Sequence, residues 1–197
     1  MGSMSDADVQ VRALQLKVNL TTIDELGPEL ARGVRGLIRP STLEAVERAA
    51  PLHWMPIELD VEIARAVQTC LGTAEGKRWA TAALRKTIAS PLLAPLRAVA
   101  VDVFRATPGN FLKFASRGWA LLVRNGGELE IATLEPSGAR LILRPLPPAL
   151  RSMPYLISVC GALHAVIEEA GAVAASNVEI APAGDHAVFS FTWRRRA

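Results

Sequence analysis

The sequence predicts an α+β fold, in which an N-terminal helical half packs on an antiparallel sheet formed by a three-stranded meander and a C-terminal hairpin. Three observations carry this. Apolar residues recur near the helical period up to about Ser116, then near every second position from Gly118 to Pro147. One long amphipathic helix, Ser152 to Gly171, follows. Two short alternating runs from Val178 to Trp193 then close the chain as a hairpin.

Taken in order, Met1, Gly2 and Ser3 before Met4 read as a cloning remnant, and Ser5 to Val9 as a loose end. The expected organisation is a tag and disordered N-terminus over 1–11 and a single α+β ligand-binding-like domain over 12–197. Leu14, Leu16, Val18 and Leu20 alternate with polar residues, which predicts a half-buried strand. Thr21 or Thr22 then caps a short helix with Asp24 and Glu25 in its first turn, where the helix dipole favours acids. Gly27-Pro28 interrupts that helix, and Arg39-Pro40 breaks the chain again. Ser41 and Glu44 have the spacing of a capping box for the next helix.

Leu52 to Pro56 is an apolar elbow. Helices are expected from Pro56 to Leu71, where Gly72 suits a C-terminal stop, and from Thr73 to Ala89. Further helices are expected from Leu92 to Arg105 and from Asn110 to Ser116. Trp119 to Val123 reads as the first meander strand, with Asn125-Gly126 as its hairpin turn. Glu128 to Leu134 and Ala139 to Arg144 are the second and third strands, joined at Pro136-Ser137-Gly138. The helix from Ser152 places Leu156, Val159, Cys160, Leu163, Ile167 and Ala170 on one face, and Gly161-Ala162 leaves room for another backbone. In the final strand Phe189, Phe191 and Trp193 point one way and form an aromatic row expected to pack under a helix.

Half of the 197 residues are apolar, enough for a sizeable core. No secretory leader or run of apolar residues long enough to span a membrane is visible, and a cytoplasmic location is expected. The net charge of +3 is uneven. Residues 1–76 carry a net −4, residues 77–117 a net +7, and the remainder is balanced. The basic segment holds Lys77, Arg78, Arg85, Lys86, Arg97, Arg105, Lys113 and Arg117. These are scattered over helix faces rather than clustered, which argues against a nucleic-acid partner.

The chemistry-bearing residues are sparse. Cys70 and Cys160 lie far apart in apolar patterns, with no CxxC, and read as two reduced, buried thiols. His53, His164 and His186 are the histidines; Cys160 and His164 share a helix face, but two ligands make no metal site. Glu168 and Glu169 are about 100° apart on their helix and cannot converge on one atom. GxSxG, Walker, GxGxxG and HExxH motifs are all missing, so the chain reads as non-enzymatic, with no catalytic residues, metal or cofactor. Scattered large aromatics suit an apolar ligand pocket, whose candidate lining is Trp54, Cys70, Trp79, Phe111, Phe114 and Leu163.

Two stretches carry a resemblance. The first runs from Leu16 to Gly72, with Asp24-Glu25-Leu26-Gly27 and Trp54-Met55-Pro56; the second holds Gly161-Ala162-Leu163, Gly171 and Phe189-Ser190-Phe191-Thr192-Trp193. Together they resemble an uncharacterised protein family known mainly from myxobacteria. That family is similar to the superfamily of vinyl-reductase-type, haem-NO-binding-like and transport-particle (TRAPP) subunit domains. The resemblance implies helices on an antiparallel sheet, and a role in small-molecule sensing or protein assembly. It also implies that some members dimerise and that some enclose an apolar channel with an acylated cysteine, for which Cys70 is the matching candidate. The Tyr-Ser-Arg pattern that holds haem carboxylates is absent, as are the paired C-terminal cysteines that hold zinc. The expected function is therefore a sensory or regulatory domain for a small, mostly apolar ligand. The alternative is a protein-protein interaction module, a homodimer or adaptor, using an apolar helix face and the basic segment.

Overall fold

A computed structural model describes residues 9–91 and 107–195. The expected helix over Leu92–Arg105 and the basic residues Arg97 and Arg105 lie outside the described residues, as does residue 196 of the terminal basic run. The fold is mixed α+β, with helices packed on antiparallel sheets. Its elements are β1 (Gln10–Arg12), α1 (Ala13–Asp24), α2 (Pro28–Gly36), α3 (Pro40–Arg48), β2 (Trp54–Pro56), α4 (Glu58–Ile88), α5 (Pro108–Leu122), β3 (Val123–Arg124), β4 (Glu128–Glu135), β5 (Gly138–Arg144), α6 (Met153–Glu169), β6 (Ala172–Ile180) and β7 (Ala187–Arg195). A small sheet has the order β2-β1-β3 and a larger one β4-β5-β7-β6, with all pairings antiparallel.

Of the N-terminal residues expected to be loose, 9–11 are described and are packed into the fold. Val9 and Val11 are buried, and the Ile57 amide donates to the Val9 carbonyl. The strand expected over Leu14–Leu20 is instead the body of α1. Ala13, Leu16, Leu20 and Ile23 are the buried apolar positions, and their spacings of 3, 4 and 3 are helical. The alternation that suggested a strand arises because Leu14 and Val18 sit half-buried at the edge of that face. Thr21 and Thr22 do not cap; their hydroxyls donate back to the Lys17 and Val18 carbonyls.

The capping box at Ser41 does not form either. Pro40 opens α3, and Glu62 of α4 serves its N-terminus from across the fold. Its carboxylate accepts from the Arg39 amide at 2.7 Å, from the Thr42 hydroxyl at 2.8 Å and from the Arg39 guanidinium. Burial alone would raise the Glu62 pKa, but these hydrogen bonds together hold it below its usual value.

The two helices expected around Gly72 are present as one element broken there. Gly72 has φ 74° and ψ 176°, a conformation that suits a residue without Cβ. The first meander strand is corrected: Trp119–Leu122 completes α5, whose inward positions Phe111, Leu112, Ala115, Trp119 and Leu122 follow the helical period. Only Val123–Arg124 is extended, and it pairs with β1 in the small sheet. Asn125, at φ 57°, therefore turns the chain from one sheet to the other and closes no hairpin.

The remaining strands, the long helix and the terminal hairpin match the sequence reading, although β6 begins earlier, at Ala172. Phe189 and Phe191 are buried and Trp193 packs against the same core. At Gly161 α6 meets α4: a Cβ there would stand 2.5 Å from the Lys77 carbonyl oxygen. The Thr81 hydroxyl sits in this crossing, 2.9 Å from the Gly161 carbonyl and 3.0 Å from the Lys77 carbonyl.

The basic segment is largely engaged within the chain. Arg78 pairs with Glu75, Arg85 with Glu168 at 2.5 Å and Lys86 with Glu25, while Lys77 donates to the Ser176 carbonyl at 2.9 Å. No described helix is long and apolar enough to cross a membrane.

Gly161→Ala tests the helix crossing. A methyl gains about 1 kcal/mol of helix propensity but meets a carbonyl, and overpacking costs about 1–3 kcal/mol. The expected result is a net loss of about 1 kcal/mol, seen as a lower urea midpoint at unchanged slope.

Candidate functional site

A cavity of about 160 Å³ lies among α1, α4, α5 and α6, with β1, β3 and β4 at its margins. Both halves of α4 wall it, through Asp60 and Ala64 before the Gly72 break and Trp79, Ala80, Leu84 and Ile88 after it. Opposite stand Phe111, Phe114 and Trp119 of α5 and Tyr155, Val159, Ala162 and Leu163 of α6. The wall is mostly hydrocarbon, as expected of a small-ligand site.

Four of the six candidate lining residues meet here: Trp79, Phe111, Phe114 and Leu163. Trp54 does not line the cavity. It pairs with Arg12 across β1 and β2, and the Arg12 guanidinium stacks on its ring at 3.7 Å from the centroid. Cys70 does not line it either. It is exposed, correcting the expectation of a buried thiol, because it follows the buried Ala66-Val67 pair on the outer side of α4 and lies close to Gly33 of α2. Cys160 is buried as expected, and burial pushes its thiol pKa up.

A polar thread crosses one side of the otherwise apolar wall. The Thr87 hydroxyl lies 3.0 Å from Gln15 Oε1, Gln15 Nε2 donates to Asn19 Oδ1 at 2.8 Å, and Asn19 Nδ2 donates to Asp60 Oδ1 at 2.7 Å. Gln15, Asn19 and Asp60 all line the cavity. Burial pushes the Asp60 pKa up to about 7, against the hydrogen bond from Asn19, which lowers it. The single tyrosine, Tyr155, also lines the cavity; burial first, and the Asp60 charge second, push its pKa well above 10. Sequence reasoning missed this group. A weak signal was present: Gln15, Asn19 and Asp60 sit at inward helical positions, which is visible only once α1 is read as a helix.

A second polar cluster ties the edge strand β6 to α4 and α6. His164 Nδ1 lies 3.2 Å from Ser176 Oγ, and His164 Nε2 lies 3.5 Å from Glu168 Oε1. Lys77 donates to Ser176 Oγ at 3.2 Å. Burial lowers the His164 pKa, partly offset by Glu168. The Ser, His and Glu here are neighbours within a strand-to-helix seam, and none of them lines the cavity. Among the described residues no group of three or more His, Cys, Asp or Glu is placed to hold a metal ion.

No protein-family model matches the sequence, and no curated protein matches it. Solved structures do share the fold. A mutant H-NOX protein from K. algicida, iron(II) and unliganded, aligns with TM-score 0.64 at 11% identity, covering 94% of this chain and 97% of that one. An oxygen-binding H-NOX domain related to soluble guanylate cyclases, solved as its oxygen complex, aligns with TM-score 0.56 at 10% identity, covering 94% and 95%. An H-NOX structure solved to probe haem distortion in that family aligns with TM-score 0.58 at 10% identity, also covering 94% and 95%. At these identities the likeness establishes the fold.

The haem of that family can be tested against the residues present, and it does not fit. A cavity of about 160 Å³ matches the roughly 150 Å³ that accepts benzene or xenon, far short of a macrocycle. Among the described residues no His, Cys or Met lines it, so none of them supplies those usual axial ligands. His53, His164 and His186 lie elsewhere, and residues 92–106 contain no His, Cys, Met or Tyr. Burial first, and the Asp60 charge second, favour the neutral phenol of Tyr155 over its phenolate. Among the described residues no Lys or Arg lines the cavity to pair with haem carboxylates.

Asp60 gives this site a pH signature. Its folded pKa lies above its unfolded value, so between about pH 4 and about pH 7 the folded state binds more protons. The associated stability is present below that window and is lost as pH rises through it. Asp60→Asn keeps an acceptor for Asn19 and removes the titration. Its stability relative to wild type is expected to grow from pH 4 to pH 7, by on the order of 4 kcal/mol for three pKa units, and then level off. Urea unfolding across pH measures this; a difference independent of pH contradicts it.

Proposed function

We propose that this chain is a non-enzymatic sensory or regulatory domain that binds a small, mostly apolar ligand among α1, α4, α5 and α6. The observation that carries the reading is the cavity itself, about 160 Å³ of space walled by Trp79, Phe111, Phe114, Trp119 and Leu163. Protein interiors rarely leave space larger than a water molecule unfilled, and apolar cavities of this size stay dry and take up small hydrocarbons.

Other features support the same reading. The architecture is that of H-NOX domains, one of which holds oxygen, so a buried small-molecule site suits this scaffold. The resemblance to vinyl-reductase-type and transport-particle domains also points to an enclosed apolar site. The aliphatic hydroxyl that lines the cavity among the described residues, Ser158, is engaged by donating to the Pro154 carbonyl of its own helix. Two free cysteines suit a reducing, cytoplasmic setting. The interaction-module alternative drew on the basic middle segment, whose members Arg78, Arg85 and Lys86 already have acidic partners within the chain.

The test uses neutral hydrocarbons. Benzene or methylcyclohexane at concentrations well above Kd is expected to raise the Tm of wild type by mass action. Ala64→Leu, which puts a larger side chain into the cavity wall, is expected to abolish the shift while keeping the helical circular-dichroism spectrum. Haemin added to the same protein is expected to give no stoichiometric Soret band. An unshifted Tm with every hydrocarbon, or a one-to-one haemin complex, contradicts the proposal.

A further inference from the structure

The geometry points to a small aliphatic or arylalkyl amine as the ligand class, its ammonium against the Asp60 carboxylate and its hydrocarbon among the rings of Trp79, Phe111, Phe114 and Trp119. This rests on the ligand-binding reading above and specifies its chemistry.

Asp60 is 7% exposed and lines the cavity. Its hydrogen bond among the described residues comes from the neutral amide of Asn19. Among the described residues no Lys, Arg or His lines the cavity, so none of them balances the carboxylate. The groups facing Asp60 from the packed elements are the amides of Gln15 and Asn19 on α1 and the phenol of Tyr155 on α6, all uncharged at neutral pH. A buried carboxylate without a countercharge is costly, and a cation brought by a ligand offsets that cost.

The rest of the wall suits the same guest. Five aromatic side chains surround the space, and ring faces attract ammonium groups most strongly where water is excluded. Trp79, one of these rings, is buried and has its indole N–H without a hydrogen-bond partner among the described residues. The volume limits the guest to a compact molecule, on the order of six to eight non-hydrogen atoms by comparison with the cavity that accepts benzene.

Three probes of one shape separate charge from shape: cyclohexylamine, cyclohexanol and methylcyclohexane, titrated calorimetrically into wild type and Asp60→Asn at pH 8. Cyclohexylamine is expected to bind wild type at least about tenfold more tightly than either neutral probe, and Asp60→Asn is expected to erase that preference. On wild type, amine affinity is expected to fall as pH drops from 8 to 5 and Asp60 takes up its proton, approaching tenfold per unit, while cyclohexanol binding stays flat. The pH series needs no variant, so it decides the matter even if Asp60→Asn folds poorly. Neutral probes binding as well as the amine, or an amine affinity unmoved by both pH and Asp60→Asn, overturns the inference and leaves the apolar-ligand reading intact. Failure of all three probes to bind overturns both.

Discussion

The backbone contact between α4 and α6 at Gly161 is the constraint on which the rest of the site depends. A side chain of any size there would meet the Lys77 carbonyl, so the two helices approach as closely as their backbones allow. The Thr81 hydroxyl bridges the crossing. Residues that flank this contact, Trp79 and Ala80 on α4 and Val159, Ala162 and Leu163 on α6, are the same residues that wall the cavity. The Gly72 break matters for a related reason: residues before and after it, such as Ala64 and Leu84, both reach the cavity.

The polar thread through Gln15, Asn19 and Asp60 is the other organising feature. Every buried polar group needs a partner, and these supply one another between α1 and α4. Neutral amides solvate the carboxylate without neutralising it, which leaves Asp60 poised near neutral pH. An apolar pocket with one such acid is chemically selective, because burial makes an uncompensated charge expensive in a way that hydrocarbon contact cannot offset. Space and field together distinguish this interior from a merely imperfect core.

Much of the C-terminal half was legible in the sequence because each element there has one dominant signal. Apolar positions on α6 recur at the helical period, β7 alternates cleanly, and Gly161-Ala162 announced a close helix contact. The misreadings share a cause: short windows in which two periods coincide. Leu14, Leu16, Val18 and Leu20 alternate, yet Ala13, Leu16, Leu20 and Ile23 are what the core takes. Trp119 to Val123 looks like a strand because it is apolar throughout, but α5 continues to Leu122 and only Val123 is extended, paired with β1. Asn125-Gly126 carries a hairpin signature and turns between sheets instead, since β3 pairs with β1. Of the candidate lining residues, Trp79, Phe111 and Phe114 were named as scattered large aromatics and Leu163 from the apolar face of its helix, and these four line the cavity. Cys70 was misplaced because α4 breaks two residues later and the phase at a helix end is poorly determined. Asp60 was invisible because its significance lies in a partner 41 positions away.

The central claim is that the interior holds a real, ligand-sized space between α4, α5 and α6. A crystal structure determined under xenon pressure tests it most directly. Electron density for xenon in contact with Trp79, Phe111 and Leu163, with the surrounding side chains unmoved, is the predicted result. Side chains of α5 and α6 collapsed together, with no space and no xenon between them, would contradict it.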